Sequence, residues 1–279
     1  MPRYQRALLL ALPFLLAACS DAGGIFAPPP NGDRAAHPGF DTSVYPGDAA
    51  MRAWRAPSSP YEWTGYYLAA PCHSNVSWLG KRAPLAAMGW GTAVLYVGQQ
   101  TWEGVAAPGL AAPASSESVA RVAQSASCSR TMLTGAQGTI EGSDAAAKAA
   151  NEGFAAGTVI FLDIEYMSTV TQAMRDYYRS WVAQLLADGR YIPGIYCHTS
   201  NAATIHADVR DEFLARRPTI TPQFWIAGQS GFSLGKLPID VGHSFADIWQ
   251  GKLDTDETWN GVTLHIDADI ADSAAPSGR

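Results

Sequence analysis

Val159, Ile160, Phe161 and Leu162 form an unbroken apolar run. That is the pattern of a strand covered on both faces, as in a parallel sheet. Shorter apolar runs bounded by Gly, Pro, Asn and Asp recur at residues 39–45, 64–70, 93–97, 191–197, 223–227, 245–250 and 262–267, and each predicts a strand. Between strands the period changes. Val170, Met174, Tyr177, Trp181 and Leu185 recur at helical spacing, with Thr169 and Gln172 as a capping box and Gly189 as the stop. Residues 145–156 read as an Ala-rich helix with Ser143 as N-cap, Asp144 in the first turn and Gly157 at the end. Residues 51–54 and 206–216 predict further helical pieces, and residues 104–135, rich in Ala, Pro and Ser, predict a long irregular loop. No tandem repeat is present. Eight strands with helices between several of them, within residues 39–273, predict an α/β chain folded as a single (β/α)8 barrel of the TIM type.

The ends read differently. Arg3 and Arg6 precede an apolar run from residue 7 to 16, interrupted by Pro13 and too short for a comfortable membrane span. The run ends in Leu16, Ala17, Ala18 and Cys19, which resembles the lipobox of bacterial lipoproteins, where cleavage leaves a lipidated Cys. The expectation is a signal peptide at 1–18, a lipid on Cys19, a tether through residue 38 containing Pro28, Pro29 and Pro30, and a short tail at 274–279. An ordinary signal peptide with an incidental Cys is the alternative. On the lipoprotein reading the protein is exported and lipid-anchored to the cell membrane. Ser20 is compatible with sorting to an outer membrane where the host has one.

Composition narrows the class. The 279 residues are 47% hydrophobic and 16% charged, which suffices for a full core. The net charge is −6, and removing residues 1–18 deletes two Arg and no acid, leaving −8. Without a basic run, nucleic acid is not an expected partner. A monomer is expected. Beyond Cys19 stand Cys72, Cys128 and Cys197; Cys72 and Cys128 both fall in loop-like sequence and are the expected disulfide in an oxidising compartment, with Cys197 left over. No zinc spacing, H-E-x-x-H or EF-hand pattern occurs, although Asp254, Asp256, Asp267, Asp269 and Asp272 cluster in sequence, so neither metal nor cofactor is expected.

The chemistry concentrates after the apolar run. Asp163 and Glu165 are separated only by Ile164, so both point to one face of the strand, with Cα atoms roughly 6–7 Å apart. Partly desolvated and mutually repelling, one of them should keep its proton to a higher pH. One neutral and one ionised carboxyl equip a site for acid-assisted glycoside cleavage. An acid pair at a strand end also caps helices or meets an arginine. Asp41 and Asp267 fall at the ends of the first and last predicted strands, so the barrel would gather Asp41, Asp163, Glu165 and Asp267 at one mouth.

Taken in order, Gly39-Phe40-Asp41-Thr42-Ser43, Phe161-Leu162-Asp163-Ile164-Glu165, Phe224-Trp225-Ile226-Ala227, Ile248-Trp249-Gln250 and Ile266-Asp267-Ala268-Asp269 resemble the strand signatures of family-25 glycoside hydrolases, the (β/α)-barrel muramidases. The chain is more similar still to a poorly characterised group of exported glycoside-hydrolase-like domains, whose pattern includes Leu95 to Gln100 and the helix before the acid pair. The resemblance implies Glu165 as general acid. It implies that Asp163 orients the N-acetyl group of the substrate or raises the pKa of Glu165. It implies that Asp41 and Asp267 stabilise positive charge at the anomeric centre and position water. The implied partner is a cell-envelope polysaccharide. Tyr45, Tyr66, Tyr96, Tyr196, Trp225 and Trp249 lie on or just after strands as candidates for stacking on sugar rings, beside Gln250 and Asp269; packing is the competing role for the aromatics. The chain departs from the family at Tyr45-Pro46, where Trp-Gln is common, and at Asp269, where Asn is common.

Two further patterns compete. Gly231-Phe232-Ser233-Leu234-Gly235 matches G-x-S-x-G, with Asp240, Asp247 and His265 downstream in triad order, but Lys236-Leu237-Pro238 does not open the helix that a nucleophile elbow needs. A nucleophilic Cys197 lacks a supporting motif. The rival of another class is a barrel that binds envelope glycan without cutting it.

Overall fold

The computed structural model describes residues 35–101 and 128–278, all within one compact unit. The predicted signal segment, Cys19 and most of the tether lie outside the described residues, as does much of the predicted loop at 104–135. Among the described residues no helix is long and apolar enough to cross a membrane. Eight strands close into a barrel in chain order: β1 (His37–Asp41), β2 (Trp63–Tyr67), β3 (Gly91–Val97), β4 (Val159–Ile164), β5 (Ile192–His198), β6 (Gln223–Ala227), β7 (Ile248–Trp259) and β8 (Val262–Ala271). Neighbours from β1 to β7 are parallel, while β8 runs antiparallel to both β7 and β1.

The reversal has a local cause. Asn260 and Gly261 take φ of 51° and 78°, the positive values of a two-residue hairpin turn. Such a turn returns the chain antiparallel and leaves no room for a crossover helix. The hairpin tip packs on residues 53–61, ahead of β2: Trp54 Nε1 donates to Val262 O, Asn260 Nδ2 donates to Ala53 O, and Trp259 meets Tyr61 edge-on. Asp267 is therefore not at a strand end, as the sequence reading had it. It sits mid-strand, opposite Asp41 in the β1–β8 register, and reaches the same rim from the opposite direction.

Outside the barrel lie α1 (Asp48–Trp54), α2 (Arg82–Met88), α3 (Gly135–Asn151), α4 (Gln172–Asp188) and α5 (Thr199–Arg216). Two caps differ from expectation. Helix α4 is capped by Thr171, whose side chain accepts from Met174 N, not by Thr169. Helix α3 begins eight residues before Ser143, capped by Thr134, and Ser143 lies inside it, donating back to Thr139 O. The glycines that made this segment look like loop are packing devices. A Cβ on Gly138 would lie 2.1 Å from Tyr177 O, and one on Gly142 2.9 Å from Trp181 O, so α3 approaches the α4 backbone more closely than side chains allow.

The lower barrel interior is aromatic. Trp225 meets Trp63 and Phe161 edge-to-face, with ring centroids 5.6 and 5.8 Å apart. Gly39 and Gly194 supply the space, since a Cβ there would fall 2.0 Å from Trp63 and 2.7 Å from Phe161. The predicted tail is built into the fold. Ser277 is fully buried between the starts of β3 and β4, where its Oγ accepts from Val94 N and its carbonyl from Val159 N.

Candidate active site

The upper rim opens into a cleft of about 690 Å³. Asp41, Asp163, Glu165, Asp254 and Asp267 line it, and among the described residues no lysine or arginine does. β1 ends on Asp41, β4 carries Asp163 and delivers Glu165 just past its end, and β8 presents Asp267. Gly65 on β2 makes room for the first of these: a Cβ there would sit 2.6 Å from the Asp41 Cβ. Gln250 bridges two acids, its Nε2 donating to Asp41 Oδ2 at 2.7 Å and to Asp267 Oδ2 at 3.2 Å. Tyr67 Oη donates to Asp41 Oδ1 at 2.5 Å, and the amide of Asp254 donates to Asp267 Oδ1 at 2.7 Å. Tyr196 Oη donates to Gln250 Oε1 at 2.7 Å and so fixes the bridging amide. Beneath this layer Asp269, fully buried, accepts from Trp225 Nε1 at 3.0 Å.

Removing these carboxyls from water disfavours their charged forms, and each also feels its neighbours' charge. Burial first, then the charge of Asp41, raises Glu165 to about 7. Burial and the charge of Glu165 hold Asp163 well above the usual carboxylate range. Burial and Asp41 do the same to Asp267, and burial with Asp41 and Asp267 does so to Asp269. Asp41 is raised by burial, opposed by hydrogen bonds led by that of Tyr67. Glu165, half-buried and balanced at about 7, is therefore poised to give up a proton near neutrality.

The backbone that carries Glu165 is clamped. Gln100 Nε2 donates to Asp163 O at 2.9 Å, and Gln100 Oε1 accepts from Glu165 N at 3.1 Å, so one amide spans both sides of Ile164. Gln99 beside it donates through Nε2 to Glu141 Oε1 and through its backbone N to Tyr177 Oη. The exit of β4 is thereby tied to α3 and α4.

Residues 52–271 match the family model of the Rv2525c-like, glycoside hydrolase-like domain. The chain belongs to this family. No curated protein matches it. Among solved structures it is similar to an uncharacterized protein of B. stearothermophilus, with 15% identity and TM-score 0.55 over 84% of this chain and 95% of that one. It is similar to the modular autolysin LytC of Streptococcus pneumoniae, with 10% identity and TM-score 0.52 over 84% of this chain and 46% of that one. It is also similar to GHIP, a glycosyl hydrolase 25 of the same species, with 12% identity and TM-score 0.51 over 84% of this chain and 86% of that one. At such identities the likeness carries the fold alone, a barrel that agrees with the glycoside hydrolase-like domain of the family model.

In this Rv2525c-like domain the four acids named from the sequence line one cleft; Gln250 and Tyr196 lie behind them, and Trp225 and Asp269 are fully buried in the layer beneath, off the cleft surface. The other four candidate aromatics turn away. Tyr66 and Tyr96 point outward, their hydroxyls donating to Glu152 and Asp144 on the helical layer. Trp249 points outward too, donating to Gly228 O and packing on Phe232. Tyr45 packs on Trp78 and donates to Asp48. The cause is strand parity: alternate residues face opposite sides, and on β2 the inward residues are Trp63, Gly65 and Tyr67. Tyr67 was missed for that reason, although its two-residue offset from Gly65 was available. Gln100 and Asp254 also escaped assignment to the site; Gln100 stood in a quoted motif without a role.

The competing motifs dissolve. Residues 231–235 lie in turns and loop after β6, and only a four-residue 3-10 helix, Pro238–Val241, follows them rather than the α-helix of a nucleophile elbow. Asp240 accepts from Leu237 N, Asp247 from Phe224 N, and the His265 ring pairs with Asp256, so the serine-hydrolase partners are engaged elsewhere. Cys197 is fully buried and burial pushes its thiol up, the opposite of nucleophile activation. Cys72 and Cys128 are disulfide-bonded, and Cys72 lines the cleft.

Proposed function

We propose that this protein is a glycoside hydrolase acting on cell-envelope glycan, either peptidoglycan or a related N-acetylated polysaccharide. The observation that carries the reading is the meeting of Asp41, Asp163, Glu165 and Asp267 at one open rim, with no arginine against Glu165 among the described residues. Glu165, protonated up to about pH 7, gives its proton to the glycosidic oxygen as the bond to the anomeric carbon breaks. Asp163 holds the substituent on the neighbouring sugar carbon. Asp41 and Asp267, fixed by Tyr67, Gln250 and the Asp254 amide, face the positive charge that develops on the ring and position the water. On this proposal the chain works at the envelope as a monomer, held to the membrane by lipid on Cys19.

One observation favours a glycan-binding barrel that does not cut. Asp163 and Asp267 are both held well above the carboxylate range, which leaves less anionic charge to face an oxocarbenium ion at neutral pH. Incubation of the full-length chain with purified peptidoglycan, beside Glu165→Gln, separates the two. Reducing ends released by the wild type alone support the hydrolase. Polymer retained uncut by both supports the binding barrel.

A further inference from the structure

The described lining of the cleft carries five carboxyls, those of Asp41, Asp163, Glu165, Asp254 and Asp267. Behind them Tyr67 and Gln250 donate to the acids, Tyr196 to Gln250, and Gln100 to the Asp163 carbonyl. Asp163 Oδ1 has no hydrogen-bond partner among the described residues, although Asp163 is only 6% exposed and lines the cleft. A buried carboxyl oxygen left without a donor is costly, and no lysine or arginine stands among the described residues of the lining. A compact cation with several N–H donors would complement such a lining. A sugar ring with its glycosidic oxygen at Glu165 carries its C2 substituent on the next carbon, within reach of a carboxyl two residues back on the same face.

We propose that the sugar seated at Glu165 bears a free 2-ammonium group held by Asp163, so that the cleft selects partly de-N-acetylated 2-amino-sugar polymers over fully acetylated ones. The proposal rests on reading the cleft as a glycan site, though not on cleavage. An ammonium brings three donors and no acceptor, which matches a wall of acceptors. An acetamido group keeps one N–H, adds a carbonyl acceptor and brings no positive charge to the carboxyls.

The test is calorimetric titration of the full-length chain, and of Asp163→Asn, with a glucosamine tetramer and an N-acetylglucosamine tetramer at physiological salt. The wild type is expected to bind the amine form about tenfold or more tightly, as a charge-assisted bond to a buried carboxylate warrants, and Asp163→Asn to lose the preference. Equal binding, or a preference for the acetylated tetramer, overturns the proposal. So does a preference that survives Asp163→Asn, which marks general attraction to a chain of charge −6. Binding of neither tetramer overturns it together with the glycan reading. Cleavage of acetylated glycan without amine preference sinks the proposal alone. Should Asp163→Asn fail to fold, the carboxyl 13C resonance of Asp163 in the wild type serves instead. It is expected to move with the amine tetramer only, and an unmoved resonance overturns the assignment.

Discussion

Glu165 has to carry its proton to act as an acid, and burial beside Asp41 sets the pH at which it loses it. Activity is expected below about pH 7 and to fall as pH rises through that value, read as the basic limb of kcat/KM. Glu165→Gln should reduce kcat by about 100-fold or more, because an amide cannot donate a proton to the leaving oxygen. The same displacement acts on stability. A carboxyl raised in the folded state binds its proton more tightly there than in the unfolded chain. Its stabilising effect is complete below the unfolded value of 4.5 and is lost as pH rises through about 7. Tm should therefore be higher at pH 5 than at pH 8, and Asp163→Asn should raise Tm most at pH 8, where the buried charge costs most; a flat Tm–pH curve for the wild type would contradict this.

Helices and loops hold these residues through contacts that depend on small side chains and single amides. Gly138 lets α3 lie against the Tyr177 carbonyl, so Gly138→Val must push the helices apart. The expected loss is about 1–3 kcal/mol or more in urea unfolding, the range for overpacked interiors. Gln100 acts on the chain rather than on substrate. Gln100→Ala frees the amide of Glu165 and the carbonyl of Asp163, and is expected to lower kcat more than it raises KM while shifting the basic pH limb. A Gln100→Ala enzyme with an unchanged pH profile would mean the clamp only supports the fold. The β7–β8 hairpin is the third device of this scale. Its Asn260-Gly261 turn was present in the sequence as a strong hairpin signal, and it decides that Asp267 arrives from above.

At the scale of the molecule the barrel is closed below by its own C-terminus. Ser277→Ala leaves Val94 N without its buried acceptor and is expected to lower unfolding stability by about 1–3 kcal/mol, far more than an ordinary tail residue would. The strands, their order and the acid pair were legible in the sequence because alternation and apolar runs are local properties of adjacent residues. The barrel class followed, since eight strands interleaved with helices have few ways to close. What local pattern did not carry was orientation across the barrel. Tyr66, Tyr96 and Trp249 stood on the right strands at the wrong parity, while Tyr67 stood one residue away at the right one. The second half of α3 was read correctly, and its first half was missed because the glycines there disfavour helix in isolation and are required by the closeness of α4, a contact 30 to 40 residues distant in the chain. The sequence by itself determined which residues could do chemistry. Only the tertiary structure decided which of them meet, because inward direction is set by register between strands far apart in the chain, and the raised pKa of the acids exists only once burial and mutual repulsion act on them at one rim.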